Sequence, residues 1–396
     1  MIWQLQASVL AGCGASDGEI AELLAYGENV FDLGALAAVP ALPLPDEPFV
    51  AFWEARVGEA RERGAAAVLR EHLPQLHFPI REGMSGSADY LAATRRGVAP
   101  ASLPEATGLP LARPERIELE LHASPAGRIP IVIARGREEF VALVRALGGR
   151  NEPRPVPPSQ GALAISGYTN WSRVGELRAR WEGEDPARRE TATWGEEMAR
   201  WKARPELYQD RLILLSDGPY SAVPAAAMGL GDEDWGELSL AIRRDHECAH
   251  YFTRRLLGSM RNRLLDELIA DYAGIVAAAG RFRADWLLRF LGLEGFPRYR
   301  PGGRLEVYRG DPPLSDGAFR ALGAVAHAAA ANLERFDAVE LGARPRALAS
   351  QALALAAIAS HRAEDLAAPD GAESLARALR DLSRRAGLRE SGGPDA

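Results

Sequence analysis

The stretch Asp245–Gly274 reads DHECAHYFTRRLLGSMRNRLLDELIADYAG and places two histidines among several carboxylates. His246 and His250 are four residues apart, so on a helix both imidazoles lie on one face, one turn apart. Two imidazoles in this arrangement can bind one zinc ion. Glu247 stands next to His246, where its carboxylate can take a proton from a water molecule on the metal. The stretch predicts a metal site with Glu247 as general base.

A zinc site that catalyses hydrolysis has three protein ligands and an open fourth position. The turn through Leu257–Asn262 predicts a second helix that folds back against the first and ends at Gly280. Glu267 on this helix is the predicted third ligand. Asp271 follows one turn later on the same face, where we expect it to accept a hydrogen bond from a ligand histidine and to fix its tautomer.

The pattern HECAH…ELIAD resembles the gluzincin group of zinc metallopeptidases, in which HExxH is followed by a glutamate and, four residues later, by an aspartate. The resemblance implies zinc on His246, His250 and Glu267. It also implies Glu247 as general base and Asp271 as a partner of a ligand. The spacer is shorter than in thermolysin-like members, so the turn between the helices must be tight. The wider block from RLILLSDGPYS to DELIADYAG also resembles an uncharacterised bacterial protein family.

A metallohydrolase needs a further group that stabilises the oxyanion formed when water attacks a carbonyl. We assign Tyr308 and His327 as candidate catalytic residues, with Arg309 and His361 as further possibilities. The two histidines lie in alanine-rich helical sequence, where a lone histidine is more often packed than catalytic. Cys248 lies inside the HECAH motif but faces away from the metal, and we interpret it as a small buried residue.

The whole pattern predicts an α+β fold with a zincin-like catalytic core, in which a small mixed sheet accompanies the HExxH helix. Mainly helical regions flank this core, and the predicted boundaries are 1–110, 111–280 and 281–396. The segments IELEL and IPIVIA predict a hairpin around SPAG, and ALAISGY and RLILLS predict two further strands. The segment FVAFWEARVGEARERGAAAVLREHL predicts one amphipathic helix.

The strand Arg211–Ser216 precedes the HExxH helix in the chain. Zincins bind extended peptides along an edge strand in this place by strand addition. Two interpretations stay open: an edge strand that binds substrate, or an internal strand followed by a turn at Asp217–Pro219. An open groove along this strand would favour a peptidase.

The chain has 396 residues, a net charge of −7 and no dense run of Lys or Arg, which argues against nucleic-acid binding. Two cysteines, Cys13 and Cys248, are too few for a disulfide framework and favour a reducing compartment. No apolar run reaches the roughly 18 residues that a membrane span needs. The segment MIWQLQ lacks the basic residues of a signal peptide. We expect a cytoplasmic protein without nucleic-acid or membrane partners, and the sequence leaves its oligomeric state open.

These features favour a zinc-dependent hydrolase that cleaves an amide or peptide bond, with a peptide or a small amide-containing molecule as substrate. Two alternatives stay open. A tailoring enzyme for a small metabolite would keep the metal and enclose it in a small pocket. A non-catalytic interaction protein on a zincin scaffold would have a blocked fourth metal position or no metal.

Overall fold

The computed structural model describes residues 2–184, 193–342 and 346–387. The chain divides into two compact units. Unit one contains Met1–Pro45, Ser124–Ala126 and Pro219–Ala396, and unit two contains Asp46–Ala123 and Gly127–Gly218. The predicted boundaries at residues 110 and 280 do not coincide with these units. The reason is that unit one is assembled from stretches far apart in the chain, which a reading in sequence order does not reveal.

The elements alternate between helices and a few strands, and the residues at both ends of the described chain are helical. In chain order they are α1 (Ile2–Gly12), α2 (Asp17–Tyr26), α3 (Val50–Arg63), α4 (Ala65–His72), α5 (Ala88–Arg96), β1 (Ile117–Ser124), β2 (Gly127–Ala134), α6 (Arg137–Leu143), β3 (Ala162–Thr169), α7 (Trp171–Glu184), α8 (Trp194–Trp201), β4 (Gln209–Ser216), α9 (Ala225–Met228), α10 (Asp232–Leu257), α11 (Arg263–Ala279), α12 (Ala284–Leu291), α13 (Asp316–Phe336), α14 (Leu348–Ala359), α15 (Ala363–Ala367) and α16 (Gly371–Arg385). The predicted α+β class is confirmed.

The four strands form one mixed sheet in the order β1-β2-β4-β3. β4 pairs in parallel with β2, where Ile213 faces Ile131, and antiparallel with β3, where Ile213 faces Ala164. Both edges of β4 are therefore occupied. Arg211–Ser216 is an internal strand, and its interpretation as a substrate-binding edge strand is wrong, because its backbone groups are already paired.

The strands β2 and β4 form the centre of unit two. Their apolar runs, Ile131–Ile133 and Leu212–Leu215, are almost completely buried. Continuous apolar runs of this kind are typical of strands covered on both faces. Helices α3, α4 and α6 add Trp53, Leu69 and Phe140 to the same core.

The segment predicted as one long helix forms two helices, α3 and α4. Gly64 separates them with φ +86°, a left-handed conformation that few other residues adopt without strain. Its N–H donates to the carbonyl of Ala60, which ends α3. The apolar periodicity continues across the break, so periodicity alone did not reveal it.

Unit one is built around the helix pair α10 and α11. Gly258 with φ +76° directly follows the last residue of α10, and Gly280 with φ +72° directly follows that of α11, as expected for glycine at the position that terminates a helix. The predicted turn and second helix are confirmed. Within the described ranges, no helix is both long and apolar enough to span a membrane.

Candidate metal centre

Two consecutive helices carry the predicted ligands. α10 supplies His246 and His250 from one face, and α11 supplies Glu267. The Nε2 atoms of the two histidines lie 3.1 Å apart. Oε2 of Glu267 is 3.6 Å from Nε2 of His246, and Oε1 is 3.8 Å from Nε2 of His250. The structure therefore brings together the three residues that the sequence predicts as ligands, and this group can hold a metal ion.

The distances in this group fit one small cation. Zinc binds imidazole nitrogen and carboxylate oxygen at about 2.0–2.1 Å, and tetrahedral geometry then places neighbouring ligand atoms about 3.3 Å apart. Two nitrogens and one oxygen form a donor set that zinc accepts, and three protein ligands are the number found in catalytic zinc sites. His246 and His250 are buried, with exposures of 6% and 7%. The residues present thus fit zinc.

The other ring nitrogen of His246 is held by two polar side chains. Its Nδ1 lies 3.1 Å from Oδ1 of Asp271 and 2.8 Å from the hydroxyl of Tyr220. Tyr220 donates to the same carboxylate oxygen at 2.6 Å. An acceptor at Nδ1 favours the tautomer with its proton there, which leaves Nε2 as the ligand atom. Asp271 thus lies where it was predicted, and Tyr220 is a partner that the sequence did not reveal.

Arg304 neutralises Asp271 in the interior of unit one. Its guanidinium is hydrogen-bonded to Asp271 and donates to the hydroxyl of Tyr220 at 2.6 Å. Burial opposes the charge on the Asp271 carboxyl, but Arg304 and His246 outweigh it and hold its pKa below the usual range. A buried carboxylate with these partners stays ionised and keeps accepting from the ligand histidine.

His250 has a matching partner on α11. Its Nδ1 lies 3.0 Å from Oδ2 of Asp266, and Thr253 donates to the other oxygen of Asp266 at 3.2 Å. Burial lowers the pKa of His250, but Asp266, Glu267 and Glu247 outweigh it and raise the pKa to about 10. Without a metal this histidine attracts a proton, and a cation that binds there displaces it.

Asp266 was not singled out in the sequence. It directly precedes Glu267, and adjacent helix positions usually point to different faces. One signal was available in the sequence, since Asp266 and Glu267 are the two polar residues of the otherwise apolar run LLDELIA. In the structure the exposure of Asp266 is only 2%. A buried carboxylate needs a partner, and here that partner is a ligand histidine.

Tyr308 reaches the group through the third ligand. Its hydroxyl donates to Oε2 of Glu267 at 2.8 Å. Burial raises the pKa of Tyr308 well above its usual range, so the hydroxyl stays protonated and remains a donor. Tyr308 and Arg304 are the two ends of one short 3-10 helical segment, and both extend toward α11. In the structure Tyr308 is a hydrogen-bond donor to Glu267. Its role as an oxyanion donor stays a prediction.

Glu247 lies between the two histidines on α10 and is half-buried. Its carboxylate has no hydrogen bond or ion pair with any residue that the structure describes. The next residue, Cys248, is a free cysteine with 1% exposure, as predicted for a small buried side chain. An unengaged carboxylate beside the ligands is available for proton transfer.

The two histidines of the alanine-rich segments, His327 and His361, occupy packing positions. His327 stacks on Phe296 with ring centroids 4.3 Å apart, and no hydrogen bond within the described ranges joins it to the ligand group. His361 is buried, with its ring nitrogens 2.8 Å from the carbonyl of Ala357 and 3.0 Å from Ser374. The structure does not bring His327 into contact with the three ligands, so its catalytic assignment has no geometric support.

A second group in unit two, Glu59, Glu71 and His72, also brings three possible ligands together. Arginines already occupy it. Arg56 donates to Nε2 of His72 at 3.1 Å, and Arg63 is paired with Glu71. We interpret this group as an ion-pair network, because its charges are balanced by the protein itself.

Comparison with known proteins gives a family but no activity. Neither the curated proteins nor the solved structures contain a match to this chain. No zincin family is among the matches, so the gluzincin resemblance rests on the motif and on the geometry of the ligand group. One family model matches residues 8–370, a range that includes all three ligands and their partners. The chain belongs to DUF7005, a family of unknown function.

Proposed function

We propose that this protein is a zinc-dependent hydrolase that cleaves an amide bond. The observation that carries the proposal is the convergence of His246, His250 and Glu267 into one group of possible ligands. The helix of the two histidines also carries an unengaged carboxylate, Glu247. Three ligands of this type together with a free glutamate are the components of a hydrolytic zinc site. The donor atoms alone favour a metal, and Glu247 favours hydrolysis over a purely structural role.

Glu247 is the proposed general base. A bound zinc ion would lower the pKa of a water molecule and polarise the substrate carbonyl. Glu247 accepts the proton of the attacking water and then donates it to the nitrogen that leaves as the C–N bond breaks. The products are a carboxylic acid and an amine, which balances the addition of one water.

The partners of the ligands have a positioning role in this proposal. Asp271 and Asp266 hold the two imidazoles by their second nitrogens, and Tyr308 holds the Glu267 carboxylate. Ligands held in this way do not have to reorganise when the metal binds. The single hydroxyl proton of Tyr308 is donated to Glu267, so in this proposal Tyr308 supports the third ligand.

A small amide-containing molecule is the second candidate substrate, and one observation favours it. β4 is paired on both sides, so it offers no free edge for an extended peptide. A tailoring enzyme for a small metabolite does not need such an edge. Comparing kcat/KM on aminoacyl arylamides with kcat/KM on fluorogenic peptides distinguishes the two substrate classes.

The variant Glu247→Gln tests the chemistry apart from the metal. We expect purified wild-type protein to carry about one zinc ion per chain, as a three-ligand site requires. Glu247→Gln should keep the zinc and lose turnover by at least about a hundredfold, the scale of a lost general base. Elemental analysis measures the metal, and a screen of fluorogenic peptides and arylamides measures turnover.

Two results would count against the proposal. If wild-type protein produced with ample zinc is nearly free of transition metal, the proposed zinc site is contradicted. If the Glu247→Gln variant has unchanged turnover, the role of Glu247 as general base is contradicted. The matched control is Glu237→Gln on the same helix, which should change neither zinc content nor turnover because Glu237 is not part of the ligand group.

A further inference from the structure

The turn between the two ligand helices lies against a short segment near the N-terminus of the chain. This segment, Tyr26–Asp32, is here called the N-terminal clasp. The N–H of Asp32 donates to the carbonyl of Leu257, the last residue of α10, at 3.0 Å. Asn262, at the start of α11, donates to Asn29 Oδ1 at 2.7 Å and accepts from the N–H of Val30 at 3.4 Å. The clasp thus bonds to the end of one ligand helix and to the beginning of the other.

The start of α11 is an unusual conformation that the clasp holds. Its first residue, Arg263, has φ +54°, a left-handed value that non-glycine residues seldom adopt. Such a conformation persists where surrounding contacts impose it. The guanidinium of Arg263 lies 4.9 Å from the ring centroid of Tyr26 and is hydrogen-bonded to the Tyr26 carbonyl. Asn262 has 5% exposure, and its side chain bonds to the clasp rather than to its own helix.

The hydroxyl of Tyr26 connects two parts of the metal centre. It accepts from the N–H of Leu264 at 3.2 Å and donates to the carbonyl of Tyr308 at 2.7 Å. Leu264 lies one helical turn before Glu267, and its N–H is one of the helix-start donors that have no partner inside the helix. The side chain of Tyr308 holds Glu267. Tyr26 therefore contacts both the helix that carries Glu267 and the residue that orients its carboxylate.

We propose that Tyr26 is a positioning residue of the metal centre, acting through Leu264 and Tyr308 to place the Glu267 carboxylate opposite the two histidines. This inference rests on the metal site of the proposed function. Glu267 reaches the histidines only if α11 begins at the correct height and angle relative to α10. The turn that joins them is short, and the clasp supplies bonds to both of its ends from outside the helix pair.

Tyr26→Phe tests the inference because it removes one oxygen and keeps the ring beneath Arg263. We expect the variant to fold, to bind zinc at least about tenfold more weakly, and to alter the visible absorption spectrum of the cobalt(II)-loaded protein. That spectrum reports coordination geometry, which a loss of stability alone would not change. The matched control is Tyr90→Phe, which alters a buried tyrosine of unit two and should leave zinc affinity and cobalt spectrum as in the wild type.

Asn262→Asp is the second variant, in case Tyr26→Phe does not fold. It replaces the amide donor to Asn29 and keeps the side-chain shape, and we expect it also to weaken zinc binding. Folded variants that bind zinc within about twofold of wild type, with an unchanged cobalt spectrum, would overturn the inference while the metal site stands. Wild-type protein that binds neither zinc nor cobalt would overturn the proposed function, and the inference with it.

Discussion

At the residue scale, each ligand histidine of the metal centre has a carboxylate at its Nδ1 atom, the ring nitrogen that does not face the other ligands. His246 is backed by Asp271 and His250 by Asp266, at 3.1 Å and 3.0 Å. The two carboxylates differ in one respect, since Asp271 is paired with Arg304 and Asp266 accepts from the neutral hydroxyl of Thr253. Removing Asp271 would also leave a buried arginine unpaired, so Asp266 gives the cleaner experiment.

Asp266→Ala should weaken zinc binding by about tenfold to a hundredfold without abolishing it, the usual effect of losing the partner of a ligand histidine. Glu267→Ala should weaken it much more, because a ligand is lost. Competition with a chromogenic chelator measures both affinities. Glu233→Ala, an exposed carboxylate in the first turn of α10, serves as control and should have no effect. Equal, negligible effects of Asp266→Ala and Glu267→Ala would exclude Glu267 as the third ligand.

A second residue-scale prediction concerns Glu364 in α15, a carboxylate with 3% exposure. Burial raises its pKa from 4.5 to about 7, with Asp365 adding to the rise and Arg362 opposing it. The folded state therefore binds the proton more tightly than the unfolded state. As pH rises from about 4.5 to about 7, Glu364 ionises in the unfolded state but stays protonated in the folded state. Ionisation stabilises the unfolded state, so the free energy of unfolding falls. Each tenfold change in proton affinity is worth about 1.4 kcal/mol, so the loss approaches about 3 kcal/mol.

Glu364→Gln removes this titration. We expect the free energy of unfolding of the variant, relative to wild type, to increase between pH 5 and pH 8. Urea denaturation at a series of pH values measures it. The exposed Glu373→Gln on α16 is the control, and its difference from wild type should stay flat. A Glu364→Gln difference that is equally flat would show that Glu364 is ionised at both pH values in the folded protein.

At the element scale, the separation of α10 and α11 depends on one glycine. A Cβ atom at Gly274 would overlap the backbone carbonyl oxygen of Ile242, and it would also lie 3.0 Å from the Ile242 side chain. Gly274 is two turns after Glu267, and Ile242 is one turn before His246. The two helix backbones are therefore in close contact one turn before His246, and a larger residue at 274 must push the helices apart.

Gly274→Ala should destabilise the protein by about 1–3 kcal/mol, the range for overpacking, and should weaken zinc binding because Glu267 moves away from the histidines. Gly236→Ala on α10 is a matched control. A Cβ at Gly236 meets nothing within 4 Å, so this change should be neutral or stabilising by up to about 1 kcal/mol. Thermal unfolding and chelator competition measure the two effects. Unchanged zinc affinity in Gly274→Ala would show that the helix separation does not control the site.

At the scale of the whole molecule, all three ligands and their described hydrogen-bond partners belong to unit one. A ligand that binds only the folded state stabilises by about 4 kcal/mol at a thousand times its Kd. We expect zinc to slow amide hydrogen exchange in α10 and α11 and to leave strands β2 and β4 of unit two unchanged. Hydrogen-exchange mass spectrometry with and without zinc measures this. His246→Ala should show no zinc effect, and equal protection in the strands would contradict the assignment of the site to unit one.

Much of the site was predictable from the chain alone. HECAH and DELIAD stand close in sequence on two consecutive helices. Helical spacing places His246 and His250 on one face of the first helix and Glu267 and Asp271 on one face of the second, so these four residues follow from local geometry. The turn and the end of α11 follow from the glycines at 258 and 280. The strands follow from the alternation in IELEL and from short apolar segments such as IPIVIA and RLILLS. These are local properties, which a short stretch of sequence carries without help from the rest of the fold.

The tertiary structure decided what depends on contacts between distant residues. Tyr26, Tyr220 and Arg304 reach the site from separate parts of the chain, and no spacing rule connects them to the HECAH motif. The internal place of β4 depends on pairing with β2 and β3 on either side, and the two units are assembled from non-contiguous stretches. Sequence periodicity reports which face of an element is apolar, whereas the partner that covers that face is chosen by packing across the whole chain.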